Sequence, residues 1–308
     1  MAVARTEQAH ESARGLDLLE PRAMLRVLAE AQVEAARSVD GAVDALAAAA
    51  AIGARCLEHG GRIAYAAAGS SGLMALADAL ELPGTFGIAG DRVVVLLAGG
   101  RERLADLAGG PEDDAGQGAR DVAAAGLGQG DCLVALSASG STPYALGALE
   151  EAKRRGIETI GIANNPDAPL VGRADVGVVL ATPPEVIAGS TRMGAGTAQK
   201  IALNMLSTLI AVHLGHVHDG YMVNLRADNI KLRDRAARIV AAIGGAADAS
   251  ARQMLEQAGG SVKTAILLAA GAADAAAAER LLDSTDGRLR PALSMLDEGS
   301  ARSRRNGT

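Results

Sequence analysis

The chain has 308 residues, enough for one large core and a small appendage. Of these, 49% are hydrophobic, but with one Phe, no Trp and three Tyr the core must come from Ala, Leu, Val and Ile, and few aromatic platforms remain for stacking bases or sugar rings. A formal net charge of −6 and a pI near 5.5 exclude the large basic surface that nucleic acid would need as a main partner.

Residues 21–59 carry a helical pattern, with Met24, Leu25, Val27 and Leu28 followed by Val43, Leu46, Ile52 and Leu57. Five short apolar runs follow at residues 62–68, 92–98, 131–137, 159–163 and 175–180, each closed by glycine or polar residues. Helical stretches such as 72–82 and 143–155 separate them. Strand alternating with helix at this spacing predicts parallel strands joined by crossovers, a three-layer α/β/α domain on a five-stranded parallel sheet. Residues 185–208 then run from a loop of Gly189, Ser190, Thr191 and Arg192 into an apolar helix over 198–212. After Gly244-Gly245 the composition shifts to short helical patterns broken at Gly259-Gly260, Gly271 and Gly287, a small helical module.

The expected organisation is therefore N-terminal helices over 1–58, the α/β domain over 59–245, the helical module over 246–300 and a disordered tail over 301–308. The first twenty residues hold no apolar signal region, and the alanine-rich run ending at Arg55 is too short to span a bilayer, so a cytoplasmic protein with no membrane contact is expected. Cys56 and Cys132 stand far apart in sequence, each in an apolar context, and read as buried free thiols.

Two turns carry candidate chemistry. Ala68-Gly69-Ser70-Ser71-Gly72 follows the first apolar run, and Ser137-Ala138-Ser139-Gly140-Ser141-Thr142-Pro143 follows the third. Each places hydroxyls and backbone N–H groups at a helix entrance on the carboxyl edge of the sheet, an arrangement suited to phosphate. Ser190, Thr191 and Arg192 add a third anion-suited loop. Neither a G-x-G-x-x-G nor a Walker lysine is present, so no nucleotide cofactor is expected. His216 and His218 alternate along an extended segment, but no third ligand accompanies them and no metal is expected.

These stretches resemble a known family. Two such loops on five parallel strands are similar to the sugar isomerase (SIS) domain, which binds phosphosugars. The segments 68–72, 78–87, 110–114, 138–144, 184–208, 229–236 and 259–265 are similar, in the same order, to the N-acetylmuramic acid 6-phosphate etherases. The resemblance implies a lyase that splits the lactyl ether of a phosphorylated amino sugar, giving N-acetylglucosamine 6-phosphate and D-lactate in cell-wall recycling. It implies catalytic carboxylates at Glu81 and Glu112, a homodimer, no cofactor, and a substrate site built from Ser70, Ser71, Ser137, Ser139, Ser141, Thr142, Glu185, Ser190, Thr191 and Arg192.

Glu81, set among Ala79, Leu80, Leu82 and Pro83, is expected to stay protonated in an apolar setting and serve as the acid. Glu112, beside Asp113 and Asp114, is expected to be the base. The chain departs from the family where Leu73, Ser141 and Gly194 replace expected cations, and where His216, His218 and Asn224 replace a lysine, a tyrosine and an aspartate. A non-catalytic phosphosugar sensor, an etherase with an altered substrate and an aldose–ketose isomerase are the competing readings of the same residues.

Overall fold

The five apolar runs form one parallel sheet, seen in a computed structural model that describes residues 5–102, 109–227 and 229–306. In chain order the first part comprises α1 (Pro21–Arg37), α2 (Val43–Glu58), β1 (Ile63–Ala67), α3 (Gly69–Phe86), β2 (Val93–Leu97), α4 (Ala115–Ala124), β3 (Cys132–Ser137), α5 (Pro143–Arg154), β4 (Glu158–Ala163), α6 (Pro169–Arg173), β5 (Val176–Val179) and α7 (Gly194–His213). The strand order is β2-β1-β3-β4-β5, all parallel, with Ala67 paired to Leu97 on one side and to Leu136 on the other. Every residue of β1 and β3 is buried. Covered on both faces, such strands read as unbroken apolar runs rather than as alternating patterns.

Alternate residues of each strand feed different layers. Ala64, Ala66, Leu133 and Ala135 pack with Val122 of α4 and with Ala145, Ala148, Leu149 and Ala152 of α5. On the opposite face, Ile63 of β1 and Ile210 of α7 both lie against Gly53 of α2. There the Tyr65 hydroxyl donates to Asp78 of α3 at 3.0 Å, and Asp78 also accepts from Asn204 and Ser207 of α7, each at 2.9 Å. Burial and the Asp78 carboxylate push the Tyr65 phenol well above its ordinary pKa, so it remains a donor. Cys56 and Cys132 are both buried, and the Arg62 carbonyl accepts from Cys56 Sγ at 3.2 Å and from the Cys132 N–H at 3.0 Å.

The chain divides into two compact units. One takes residues up to Leu80 together with Asp91–Ile210; the other takes Glu81–Gly90 and everything from Ala211 on. The second unit contains a hairpin of β6 (Val217–His218) and β7 (Tyr221–Met222), turned at Asp219 and Gly220 with φ of 46° and 78°, as a two-residue type I′ turn requires. It continues with α8 (Ile230–Gly244), α9 (Asp248–Gln257), α10 (Val262–Ala269), α11 (Ala275–Asp283) and α12 (Leu289–Asn306).

Two differences from the sequence reading follow. Helix α8 does not belong with the sheet, because Ala236, Ile239 and Val240 are buried among Ala251, Val262, Ala265, Ile266 and Ala278 of the following helices, so the helical unit begins at Ala211 rather than at 246. Residues 301–306 continue α12 and are not an irregular tail; 307 and 308 lie outside the described residues. Among the described residues no helix is long and apolar enough to cross a membrane.

Candidate active site

From β1 the chain moves to β2 on one side, and the next strand, β3, pairs on the other. This reversal makes the carboxyl ends of β1 and β3 the switch point of the sheet, where the outgoing helices diverge and leave a crevice. Both hydroxyl-rich turns open there. Gly69, at φ +53°, starts α3 directly after β1, with partly exposed Ser70 and buried Ser71 in its first turn. After β3 the hydroxyls form a connected chain: Ser137 Oγ lies 2.7 Å from Thr142 Oγ1 and 3.3 Å from Ser139 Oγ. Ser139 Oγ in turn accepts from the hydroxyl and the N–H of Ser141, at 3.1 and 3.2 Å. The Gly140 N–H donates to Ser137 Oγ at 3.0 Å, which fixes the turn ahead of α5.

Glu112 joins this crevice from the connection between β2 and β3. It sits in a 3₁₀ turn, Gly110–Asp113, and its Oε1 would be 2.6 Å from a β-carbon built on Gly69. Only a glycine, free of both that clash and the cost of a left-handed conformation, lets the carboxylate rest over the start of α3. Burial, and then the neighbouring Asp113 charge, raise the Glu112 carboxyl above its ordinary pKa of 4.5. The first unit thus sets Glu112 against Gly69, next to Ser70 and Ser71, while Ser137, Ser139, Ser141 and Thr142 hold one another after the adjacent strand β3. Two hydroxyl-bearing turns, two helix N-termini and one carboxylate of raised pKa stand at the carboxyl ends of neighbouring strands, an arrangement suited to holding a phosphate next to a proton-transfer centre.

The remaining expected residues are placed differently. Glu81 lies in the second unit and is exposed, with Leu80 beside it 65% exposed. Within α3, Ala79 and Leu82 point inward, so the intervening Leu80 and Glu81 face outward, and the described residues do not supply the apolar setting expected for Glu81. Glu185, expected to touch substrate, is 4% exposed, and its Oε2 and Oε1 accept from the N–H groups of Gly194 and Ala195 at 2.9 and 2.8 Å. The positive end of α7, which looked open to an anion in sequence, is occupied by the protein's own carboxylate. Ser190, Thr191 and Arg192 lie in the connection between β5 and α7, just after Gly189, where an added β-carbon would stand 3.2 Å from Glu7 Oε2.

A further pair escaped the sequence reading. Asn164 and Asn165, both buried, follow β4. The Asn165 amide donates to the carbonyls of Ala138 and Ser139, each at 3.2 Å, and so braces the hydroxyl turn from behind. The available signal was two consecutive amides at the end of an apolar run, where an ordinary turn would also place them.

Comparison with known proteins agrees with this fold. Residues 28–164 match the SIS domain family. A phosphoheptose isomerase from Francisella tularensis has the same fold, with a TM-score of 0.50 and 22% identity, covering 63% of this chain and 100% of that one. An N-acetylmuramic acid 6-phosphate etherase of Deinococcus radiodurans is 44% identical over 297 residues, covering 96% of each chain. Another, from Serratia proteamaculans, is 40% identical over 289 residues, covering 94% of this chain and 97% of that protein. Identity at that level along nearly the full length of both partners places this protein in the N-acetylmuramic acid 6-phosphate etherase family.

Proposed function

We propose that this protein is a cytoplasmic lyase that cleaves the D-lactyl ether of N-acetylmuramic acid 6-phosphate, releasing D-lactate and N-acetylglucosamine 6-phosphate for cell-wall sugar recycling. The observation that carries the reading is the full-length similarity to etherases in a chain whose Glu112 overhangs a hydroxyl-lined switch point. An alkyl ether is a poor leaving group and a ring C2–H is barely acidic. Opening the sugar to its aldehyde makes that hydrogen α to a carbonyl. Glu112 takes the C2 proton, the C3–O bond breaks, and an acid protonates the departing lactate oxygen. Water then adds to C3 of the unsaturated aldehyde and C2 is reprotonated, so the sugar regains a hydroxyl. A carboxylate lifted above its ordinary pKa is a stronger base than a solvated one, which suits Glu112 to the first step.

Glu81 is the acid in this reading. It is exposed in the single chain, and a homodimer would supply its cover. Leu80, Leu25 and Val33 are 65%, 64% and 54% exposed, apolar surface of the kind that subunit contacts bury. The hydroxyls of the two turns hold the phosphate.

The test is release of D-lactate from the phosphorylated sugar by the wild type, Glu81→Gln and Glu112→Gln. Turnover by the wild type and its loss in both folded variants supports the assignment. Phosphosugar binding without lactate release by the wild type would instead favour a sensor, a reading consistent with Leu73, Ser141 and Gly194 standing where cations were expected.

A further inference from the structure

The last turn of α3, just beyond Glu81, is held in an unusual way. Pro83 lies inside the helix and has no N–H to give to the preceding turn. Within the second unit that turn is closed by the Gly87 N–H donating to the Pro83 carbonyl at 3.1 Å, and by Asn224 Nδ2 donating to the terminal Phe86 carbonyl at 3.0 Å. The fit is close: a β-carbon on Gly87, at φ +66°, would stand 2.1 Å from the Asn224 carbonyl oxygen and 2.7 Å from its Nδ2. The type I′ hairpin returns the chain so that the Val223 N–H donates to the His216 carbonyl at 3.0 Å, which brings residues 216 and 224 to the same end of the hairpin. Burial and the Lys263 ammonium push the His216 ring down to about 4, against the Phe86 carbonyl, which favours its charged form. His216 is therefore neutral at working pH, and its buried Nδ1 has no hydrogen-bond partner among the described residues.

A helix C-terminus leaves carbonyls unpaired and favours a donor or a cation. We propose that Asn224 is a positioning residue for the reaction, its amide clamping the Phe86 carbonyl so that the Pro83-interrupted end of α3 holds Glu81 in place, and that His216 and Asn224, both set against that carbonyl, form a matched pair. An aspartate at 224 would set a carboxylate against a carbonyl with no proton to share, and a cationic donor at 216 would offset it by taking over the Phe86 carbonyl. The catalytic consequence rests on Glu81 being the acid; the clamp itself does not.

The experiment compares wild type, Asn224→Asp and the double variant His216→Lys/Asn224→Asp in two ways: kcat and KM for lactate release, and amide hydrogen exchange of residues 82–88. Asn224→Asp is expected to lower kcat by about ten- to a hundredfold, because a small displacement of a reacting group suffices for that, while KM changes by less than about threefold. Exchange of 82–88 should quicken in step. The double variant should recover most of both, its lysine donating to Phe86 and its aspartate balancing the charge, a rescue that general destabilisation would not produce. Asn224→Ala gives the same readout if Asn224→Asp loses its fold. Unchanged kcat in a folded single variant, or a double variant no better than Asn224→Asp, overturns the proposal. If the wild type releases no lactate, the functional reading fails separately, and unchanged exchange in Asn224→Asp overturns the clamp by itself.

Discussion

Gly69 and Glu112 stand 43 positions apart in sequence, yet the carboxylate oxygen of one occupies the space where the other would carry a β-carbon. The contact couples the left-handed turn that starts α3 to the placement of the proposed base. Gly69→Ala should therefore fail twice. The left-handed conformation costs about 1–2 kcal/mol for a residue with a side chain. The new methyl, 2.6 Å from Oε1, must also push Glu112 away from the crevice. Lactate release is expected to fall by about a hundredfold or more while thermal unfolding shifts only modestly. Near-normal turnover in Gly69→Ala would show that the carboxylate works from another position.

The environment of Glu112 makes a statement about pH. A base must be ionised to act, so kcat/KM falls as pH drops through its pKa. Burial and Asp113 raise that pKa above 4.5, and the acid limb of the profile should lie correspondingly above the range of a solvated glutamate. Asp113→Asn removes the like charge and leaves the burial, so the limb should move to lower pH without vanishing. A limb unmoved by this change would exclude Glu112 as the group being titrated.

Glu185 presents the opposite case, a carboxylate with a structural task. Both of its oxygens accept N–H groups at the start of α7 and the residue is buried, so Glu185→Ala leaves two donors without partners. A loss of about 2–3 kcal/mol in urea unfolding is expected, with Glu185→Gln in the same direction because its amide nitrogen must face a donor. Substrate affinity per folded molecule should hold. A stable Glu185→Ala variant with greatly weakened phosphosugar binding would return this residue to the ligand site.

These cases mark where sequence stops being informative. The strands of the sheet were legible because runs such as residues 63–67 are apolar on both faces and bounded by glycine, a pattern that depends on nearest neighbours only. The hydroxyl turns were legible for the same reason, each lying between a strand and a helix. Whether α8 packs on the sheet or with α9 and α10 depends on contacts such as Val240 with Ile266, and no periodicity reveals them. Glu112 and Glu185 look alike among 36 acidic residues. What separates them is the group each faces, a glycine at the start of α3 or the first N–H groups of α7, whereas the family resemblance had assigned both to the site, Glu112 as a catalytic carboxylate and Glu185 as a substrate contact.

At the other end of the sheet, Arg62 and Asp131 link the segments leading into β1 and β3, and their pairing should govern acid stability. Asp131 Oδ2 accepts from Arg62 Nη2 at 2.9 Å and from the Gly128 N–H at 3.0 Å, while Oδ1 accepts from the Arg62 N–H at 2.7 Å. Burial alone would raise the Asp131 carboxyl, but the Arg62 side chain and the two backbone donors outweigh it and lower its pKa below 3.8. A carboxylate with a lowered folded-state pKa contributes stability that is fully present above its unfolded value and lost as pH falls through the folded one. Asp131→Asn should therefore cost about 2–3 kcal/mol at pH 7, where one isosteric amide replaces a charged acceptor for several donors. The gap between wild type and variant should narrow once pH drops below 3.8, as the wild-type carboxyl takes up its proton. Urea titrations at neutral and acid pH measure both quantities, and a gap that stayed constant across that window would mean the charge of Asp131 contributes nothing to the fold.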